Sequence, residues 1–302
     1  MKTLIIGSGM IGSHLGLVLI KNLSDVIIVD GNIDFDYINK IGLQDVQIIE
    51  TYLDTPNKLD EIINMFNVDN IVVCAGALTP SLIIDPQRAI TNESKLIGSL
   101  IRSKRLLKLK KLIYISSFAI YGNGKRDEEK EVFPKSNYGF VKLYNERLLI
   151  ECIPEEILII LRPTGVIGPV SSRSGNWMSK YIREMFKEIP GNAEDFFQER
   201  EMIDVRDIAN IIELFIATNN VAGIYNVGTG NVVSAKELLK SFIEVTENTG
   251  NTQLMNIMTD SENQGSIIKT NVEKLFKKIK YTPQYEIKDS LKYIQKMLTE
   301  SD

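Results

Sequence analysis

Short apolar segments alternate with helix-compatible segments along the first half of the chain. Six of them are rich in Ile and Val and lack a regular apolar and polar alternation: Thr3–Ile6, Val26–Val29, Gln47–Ile49, Asn70–Cys74, Leu112–Ile115 and Ile157–Leu161. Such continuous runs are typical of strands that are buried on both faces of a parallel sheet. The pattern predicts an α/β fold with a doubly wound parallel sheet.

This rhythm loosens after about residue 170, where polar breaks such as Asn219–Asn231 and Glu247–Gly250 become frequent. The 302 residues exceed the roughly 100–200 of an average domain. We therefore predict a main α/β domain over residues 1–169 and a smaller C-terminal lobe, mainly substrate-binding, over residues 170–302. Some segments of the lobe are expected to return to the main sheet.

Composition and charge exclude several classes of protein. The hydrophobic share of 44% and the charged share of 25% are ordinary for a globular chain. A net charge of −4 disfavours nucleic acid and an anionic membrane as partners. Two cysteines, Cys74 and Cys152, predict neither a disulfide scaffold nor a metal site, and fit the cytoplasm. No apolar run reaches the roughly 18 residues of a membrane-spanning helix, so we expect a soluble protein.

A glycine turn joins the first predicted strand to a predicted helix, in the order that dinucleotide binding requires. Its residues are Gly7-Ser8-Gly9-Met10-Ile11-Gly12. Gly7 permits the tight turn, Gly9 lets a pyrophosphate approach the backbone, and Gly12 allows the helix to pack closely on the strand. The helix N-terminus offers unpaired N–H groups to phosphates. A purely structural turn is the alternative for the glycine pattern alone.

Asp30, at the end of the second predicted strand, favours dinucleotide binding over that alternative. A carboxylate there accepts hydrogen bonds from the ribose hydroxyls of adenosine and repels a 2′-phosphate. We therefore predict NAD, rather than NADP, as the cofactor.

Tyr138 and Lys142 are four positions apart, so on a helix they share a face, one turn from each other. A neighbouring ammonium stabilises a phenolate, which makes Tyr138 useful as an acid or base. A surface helix with an unremarkable Tyr and Lys is the alternative. Ser116 and Ser117 follow a predicted strand, and open α/β sheets bind ligands at that end of their strands. We predict that Ser117 hydrogen-bonds a substrate oxygen, whereas Ser116 caps or turns the chain.

Further motifs accompany these segments: Asp54, Asp85-Pro86 with Asn92, Glu146 after the Tyr/Lys helix, Leu161–Pro169 and Tyr225–Gly230. Together they make the chain resemble an extended short-chain dehydrogenase/reductase of the NAD-dependent epimerase/dehydratase family, which includes sugar-nucleotide 4-epimerases. The resemblance covers nearly the whole chain. It implies a Rossmann fold, NAD as cofactor, a nucleotide-sugar substrate and a homodimer. The dimer would form through helices near Lys95–Leu107 and Tyr138–Leu149.

The resemblance also implies roles for individual residues. Ser117, Tyr138 and Lys142 form the catalytic set. The cofactor is expected to contact Gly7, Gly9, Met10, Ile11, Gly12, Asp30, Leu53, Asp54, Ala75, Gly76, Asn92, Tyr138, Lys142 and Pro163. The substrate is expected to contact Ser117, Phe118, Gly165 and Arg200. Arg200 would bind a substrate phosphate through its planar fork, and a surface ion pair is the alternative for it.

Some positions depart from the family pattern. Phe118 and Ala119 stand where sugar-nucleotide 4,6-dehydratases carry Asp and Glu, so that dehydration lacks an acid for the leaving hydroxyl. Gly165 stands where many epimerases have Asn, and residues 263–266 lie where some have a second phosphate clamp. The motifs therefore support the cofactor more strongly than the diphosphate of the substrate.

Three functions remain open at this point. The first is an NAD-dependent epimerase that oxidises C4 of a nucleoside diphosphate sugar transiently, and the second is a reductase of a 4-keto sugar nucleotide. The third, a non-catalytic NAD-binding regulator, is the least favoured because Ser117, Tyr138 and Lys142 are all present. The sole histidine, His14, is expected to pack or cap. Trp177, Met178 and Tyr181 are expected to line a pocket or pack the lobe, and Lys125–Glu131 to form a solvated loop.

Overall fold

The computed structural model describes residues 1–77, 79–171, 174, 182, 185, 186, 199–247 and 269–299. The strands are β1 (Lys2–Ile6), β2 (Asp25–Asp30), β3 (Gln47–Glu50), β4 (Asn70–Val73), β5 (Lys111–Ile115), β6 (Leu158–Pro163), β7 (Gly165–Ile167), β8 (Met202–Asp204) and β9 (Gly223–Val227). The helices are α1 (Met10–Lys21), α2 (Phe35–Lys40), α3 (Pro56–Phe66), α4 (Thr79–Ile84), α5 (Pro86–Ile101), α6 (Asn137–Cys152), α7 (Val205–Ala217), α8 (Ala235–Thr246), α9 (Glu273–Ile279) and α10 (Ile287–Thr299). Within these ranges, no helix is long and apolar enough to cross a membrane.

Seven strands form one parallel sheet in the order β3-β2-β1-β4-β5-β6-β9. The six strands predicted from apolar runs are all present, and their ends agree with the prediction to within two residues. The order reverses between β1 and β4, and this switch point is where open α/β sheets form their ligand crevice. The doubly wound parallel fold is confirmed.

Helices cover both faces of this sheet, which explains why its central strands β4 and β5 are buried at every position. On one face, α1 and α7 pack together over residues such as Ile5 and Ile113. On the other face, α3, α5 and α6 cover residues such as Leu4 and Leu112. Two N-terminal caps set where two of these helices begin: Asp85 accepts from Arg88 N at 3.1 Å, and Ser136 accepts from Gly139 N at 3.1 Å.

The second half of the chain contributes to the main sheet and also builds a smaller structure. Strand β9 pairs in parallel with β6, in a register that places Pro163 beside Val227. Strands β7 and β8 form a separate two-stranded sheet, and a third apolar cluster joins it to α8 and α10. A division at residues 169 and 170 stays a prediction, as does the assignment of the second part to substrate binding.

A buried lysine at the start of β5 caps the C-terminus of α7. The Nζ of Lys111 donates to the carbonyl oxygens of Phe215 at 2.7 Å, Ile216 at 2.6 Å and Thr218 at 2.6 Å. Burial lowers the pKa of Lys111. The last carbonyl groups of a helix lack partners within it, so this ammonium satisfies groups that would otherwise be desolvated without a donor.

Candidate active site

The glycine turn after β1 has no room for a side chain at Gly7 or Gly12, but it leaves open space at Gly9. A Cβ on Gly7, whose φ is +107°, would lie 2.6 Å from Ala75 N. A Cβ on Gly12 would lie 1.9 Å from Gly7 O, whereas a Cβ on Gly9 would meet nothing within 4 Å. The turn leads directly into α1 at Met10 and Ile11. The residues present therefore fit a dinucleotide pyrophosphate at this helix N-terminus.

Asp30 ends β2 beside this turn and faces a cleft of about 810 Å³. Its Oδ2 accepts from Ser8 N at 2.7 Å and from Ser8 Oγ at 2.9 Å, and its Oδ1 accepts from Asn32 N at 3.0 Å. These bonds hold the carboxylate in place at the cleft wall. Oδ2 already accepts two hydrogen bonds, whereas Oδ1 accepts one and has a lone pair left for a ribose hydroxyl.

The same cleft brings together six of the residues predicted to contact the cofactor: Asp30, Leu53, Asp54, Ala75, Gly76 and Asn92. Asp54 is half-buried and pairs with Lys58 at 2.8 Å, and this hydrogen bond lowers the pKa of Asp54. Pro163 lies at the carboxyl end of β6. The cofactor contacts of these residues stay predictions.

Helix α6 carries Tyr138 and Lys142 on one face, as their spacing predicts. The Lys142 Nζ lies 5.8 Å from the centroid of the Tyr138 ring and donates to Ile115 O, the last carbonyl of β5, at 3.3 Å. Lys142 is buried, whereas Tyr138 is half-buried. The ammonium is therefore held at the carboxyl edge of the sheet, with the phenol beside it and open to a ligand.

Ser117 follows β5 and caps a short 3₁₀ helix, Phe118–Tyr121. Its Oγ accepts from Ala119 N at 3.1 Å, which leaves the hydroxyl hydrogen able to donate to a substrate oxygen. Ser116 instead points inward and donates to Glu146. Ser116 thus has a structural role, but through a side-chain bond and not through a cap.

A buried acid that the motifs did not reveal lies beside the Tyr/Lys pair. Glu93, on α5, is 5% exposed, and its Oε1 lies 3.6 Å from Lys142 Nζ. Asn145 and Tyr114 donate hydrogen bonds to this carboxylate. Sequence reasoning missed Glu93 because it lies between Asn92 and Ser94, both exposed. Its one sequence signal is its position on the same face of α5 as the buried Ile97 and Leu100.

A second buried network lies behind the site. Glu146 and Arg162 form a salt bridge with Nη2 to Oε2 at 2.7 Å, and Arg162 Nη1 donates to Tyr121 OH at 2.7 Å. Tyr121 in turn donates to Asn226 Oδ1 at 2.8 Å. Glu146 belongs to α6 itself, so its predicted place after the helix was wrong. The network ties α6 to β6, β9 and the segment that carries Ser117.

Three of the four predicted substrate contacts, Phe118, Gly165 and Arg200, are linked to Glu201. Arg200 forms an antiparallel backbone bridge with Val233, and Gly165 N donates to Glu201 O at 3.2 Å. The Glu201 carboxylate accepts from Thr270 and lies 3.5 Å from Arg126, whose guanidinium stacks over Phe118 at 4.5 Å. Burial raises the pKa of Glu201.

The interpretation of Lys125–Glu131 as a purely solvated loop was wrong in two positions. Arg126 is drawn in by Phe118 and Glu201, and Glu128 accepts from Asn226 N at 2.7 Å. Stacking on Phe118 and the buried Glu201 carboxylate therefore outweigh the cost of removing the Arg126 charge from water.

His14 packs inside the protein, as expected. Its Nδ1 lies 2.7 Å from Met10 O and its Nε2 lies 3.1 Å from Tyr293 OH, and burial lowers its pKa to about 4. Among the described residues, no cluster of His, Cys, Asp and Glu could hold a metal ion. The expectations for Trp177, Met178, Tyr181 and residues 263–266 lie outside the described residues.

The sequence profile of the NAD dependent epimerase/dehydratase family matches residues 3–228. The chain belongs to this family. Membership confirms an NAD-dependent enzyme, and the predicted resemblance is confirmed with it. The residues that would hold NAD are those of the glycine turn, Asp30 and the cleft wall.

Two relatives in sequence are epimerases by name. The chain is 26% identical to the ADP-L-glycero-D-manno-heptose-6-epimerase of Brachyspira hyodysenteriae over 79% of each chain. It is 29% identical to the putative UDP-glucose 4-epimerase of Methanocaldococcus jannaschii, covering 77% of this chain and 78% of the relative.

Solved structures with the same fold include two sugar-nucleotide enzymes. The UDP-glucose 4-epimerase of Bifidobacterium longum, solved with NAD⁺ and UDP, matches with a TM-score of 0.81 at 19% identity, over 100% of this chain and 99% of that one. The UDP-glucuronic acid 4-epimerase of Bacillus cereus, solved with UDP-glucuronic acid and NAD, matches with a TM-score of 0.77 at 23% identity, over 99% of each chain. At these identities the likeness shows the fold.

Proposed function

We propose that the protein is an epimerase of a nucleoside diphosphate sugar that inverts C4 through transient oxidation. The observation that carries this proposal is the pairing of Tyr138 with Lys142 on one face of α6, at the carboxyl edge of the sheet and beside the cleft of the family's cofactor. A phenol next to a buried ammonium is suited to take a proton from an alcohol and to return it. Family membership supports the redox part of the reaction.

Each residue of the set has a separate task in the proposed reaction. Tyr138 takes the proton of the C4 hydroxyl and later returns it to the oxygen. Lys142 stabilises the phenolate through its charge, and Ser117 donates a hydrogen bond to the C4 oxygen. When bound, NAD supplies a reversible acceptor of hydride. The oxygen of the 4-keto sugar stays within reach of Tyr138 while the sugar turns, so that the proton returns whichever face has been reduced.

Two observations support a nucleotide sugar that is epimerised and not dehydrated. The named relatives and structural neighbours act on UDP-sugars or an ADP-heptose. Phe118 and Ala119 begin the 3₁₀ helix after Ser117, so neither of these positions supplies an acid to protonate a leaving hydroxyl. Arg200, two positions before β8, would bind a phosphate of the substrate.

The experiment is a measurement of cofactor release and turnover on the purified protein. The denatured protein is assayed for released NAD, and the native protein is incubated with UDP-, dTDP-, GDP-, CDP- and ADP-sugars while absorbance by reduced nicotinamide is followed. An epimerase retains cofactor and interconverts two sugars with no net change in absorbance. Stoichiometric oxidation of added NADH would instead indicate a 4-keto sugar reductase and contradict the proposal.

We further propose a homodimer, in which α5 and α6 pair with the same helices of a second copy. Both helices carry exposed apolar side chains: Ile90 is 43% exposed, Phe140 is 58% exposed and Tyr144 is 56% exposed. Large apolar groups on one surface favour association. Light scattering tests this, because a dimer has twice the 34.1 kDa of the chain, and the mass of a monomer would contradict it.

A further inference from the structure

Glu93 is a buried acid on a helix whose neighbouring positions face solvent. It is 5% exposed, whereas Asn92 and Ser94 on either side are exposed. An unpaired carboxylate in such a place would be costly, so its partners must offset the loss of water. Its nearest cation is the ammonium of Lys142, at 3.6 Å from Oε1.

Donors from three other segments fix this carboxylate. Oε2 accepts from the backbone N–H of Ala77 at 2.7 Å, after β4. Oε1 accepts from Asn145 Nδ2 at 2.7 Å, on α6, and from Tyr114 OH at 3.5 Å, on β5. These groups all donate, so both oxygens of the carboxylate are held in place by hydrogen bonds. Asn145 also donates to Tyr114 OH at 3.1 Å, which makes the cluster a closed network.

Lys142 meets titratable groups from each element around it. Glu93 faces it from α5, Tyr114 from β5 at 5.1 Å from the ring centroid, Cys74 from the end of β4, and Tyr138 from α6 itself. Burial alone would lower the pKa of Lys142, but Tyr114 and the Glu93 carboxylate raise it above its ordinary value. Burial raises the pKa of the Cys74 thiol to about 12, so this thiol stays neutral.

Gly76 gives the ammonium room to reach this carboxylate. A Cβ at position 76 would lie 2.6 Å from Lys142 Nζ and 3.3 Å from Glu93 Oε1. Gly76 also lines the cofactor cleft. The ammonium is therefore held at the cleft wall, 3.6 Å from Glu93 Oε1 and 5.8 Å from the centroid of the Tyr138 ring.

We propose that Glu93 is a positioning residue that acts through Lys142: its fixed carboxylate holds the ammonium at the cleft wall and offsets part of the positive charge that acts on Tyr138. This role rests on the proposed function of the Tyr138 and Lys142 pair. Removing the charge of Glu93 while keeping its shape should have two separate effects. The ammonium should act on Tyr138 with its full charge, and its position should become less defined.

The first experiment needs no substrate. The protein is loaded with NAD and labelled with [6-¹³C]lysine, the Lys142 signal is assigned with Lys142→Arg, and its chemical shift is followed as the pH rises. In Glu93→Gln the Lys142 signal should titrate at lower pH than in the unchanged protein, by roughly one unit or more for a charge at this distance. Asp207→Asn is the matched control, since Asp207 is a buried acid on α7, across the sheet. Signals that coincide in Glu93→Gln and the unchanged protein would overturn the proposal.

The second experiment measures the pH profile of turnover with a nucleotide sugar that the unchanged protein converts. Glu93→Gln should move the acidic limb to lower pH, because the uncompensated ammonium favours the phenolate. The rate at the plateau should fall about tenfold or more, because the ammonium is held less firmly. Glu93→Asp keeps the charge, so its limb should stay in place although its plateau falls. An unmoved limb in Glu93→Gln, or identical profiles for the two variants, would overturn the proposal.

The two experiments also separate this proposal from the proposed function. If no nucleotide sugar is converted, the lysine titration still decides whether Glu93 controls Lys142. If Lys142 responds to Glu93 while Tyr138→Phe keeps full turnover, the proposed reaction fails and the electrostatic link stands.

Discussion

Breaking the buried salt bridge behind the site should destabilise the whole fold. In the intact pair the side chains of Arg162 and Glu146 are only 5% and 1% exposed. Replacing Glu146 with Leu would therefore leave the Arg162 guanidinium buried without its carboxylate partner. Glu146 Oε2 accepts a hydrogen bond from Arg162 Nη2 at 2.7 Å. Arg162 Nε lies 3.1 Å from Oε1 and 3.3 Å from Oε2 of the same carboxylate. Losing one partner of such a pair costs about 3–5 kcal/mol, because the remaining charge has no replacement for water.

This loss translates into a measurable change in melting temperature. At about 2.1 cal/mol/K per residue, the unfolding entropy of a chain of this length is about 0.6 kcal/mol/K, so Tm should fall by about 5–8 °C. Calorimetry or circular dichroism at fixed pH and protein concentration measures it. The control is Glu273→Leu, which breaks an exposed ion pair in which the side chains of Lys277 and Glu273 are 77% and 73% exposed. This loss should cost less than about 1 kcal/mol.

A double-mutant cycle separates the charge effect from loss of packing. Arg162→Met alone should destabilise as Glu146→Leu does, because each leaves one buried charge. The double variant should be more stable than the sum of the two losses predicts, since apolar groups of similar size tolerate this environment. Strictly additive losses, or single variants whose Tm stays within about 1 °C of the parent, would refute the reasoning.

Three further predictions concern single positions. Lys111→Met should lower the free energy of unfolding by about 2–4 kcal/mol in urea denaturation, because three carbonyl oxygens at the end of α7 lose their donor; a change below about 0.5 kcal/mol would contradict this. Asp30→Ala should weaken binding of NADH more than that of NADPH, measured by nicotinamide fluorescence, because the carboxylate favours ribose hydroxyls and repels a 2′-phosphate; an unchanged preference would remove Asp30 from the cofactor site. His14 has its pKa lowered from 6.5 to about 4 by burial, so the unfolded chain takes up the proton first and stability falls as the pH drops from 6.5 to 4. Thermal melts of His14→Leu should show a smaller loss over this range, and an equal loss would assign the acid sensitivity to other groups.

The sequence allowed prediction of six of the seven strands in the sheet because each of these six contains its own signal, whereas β9 has no such apolar run. A run such as Leu112–Ile115 is apolar at every position, and this holds only for strands covered on both faces. The glycine turn and the Tyr138 and Lys142 pair were also predictable, because their spacing is local to one turn or one helix. Both are present in the structure as the sequence indicates.

The buried polar networks were not predictable in the same way. Glu93 and Lys142 are far apart in the chain and come together only because α5 and α6 pack side by side. Arg126 looked solvated because its neighbours are charged, and Phe118 and Glu201 that draw it inward belong to other segments. Long-range partners decide whether a charge is buried, and a local pattern does not contain them.

The central claim is that the Tyr138 hydroxyl moves a proton in the cofactor cleft. Its most direct test is the turnover of Tyr138→Phe with the nucleotide sugar that the unchanged protein converts, with bound NAD measured on the same samples. Tyr144→Phe is the matched control, because Tyr144 lies on the same helix and is 56% exposed. The account predicts that Tyr138→Phe retains NAD and loses about 10²–10⁴-fold in turnover, while Tyr144→Phe keeps both. Equal turnover by the two variants would contradict it.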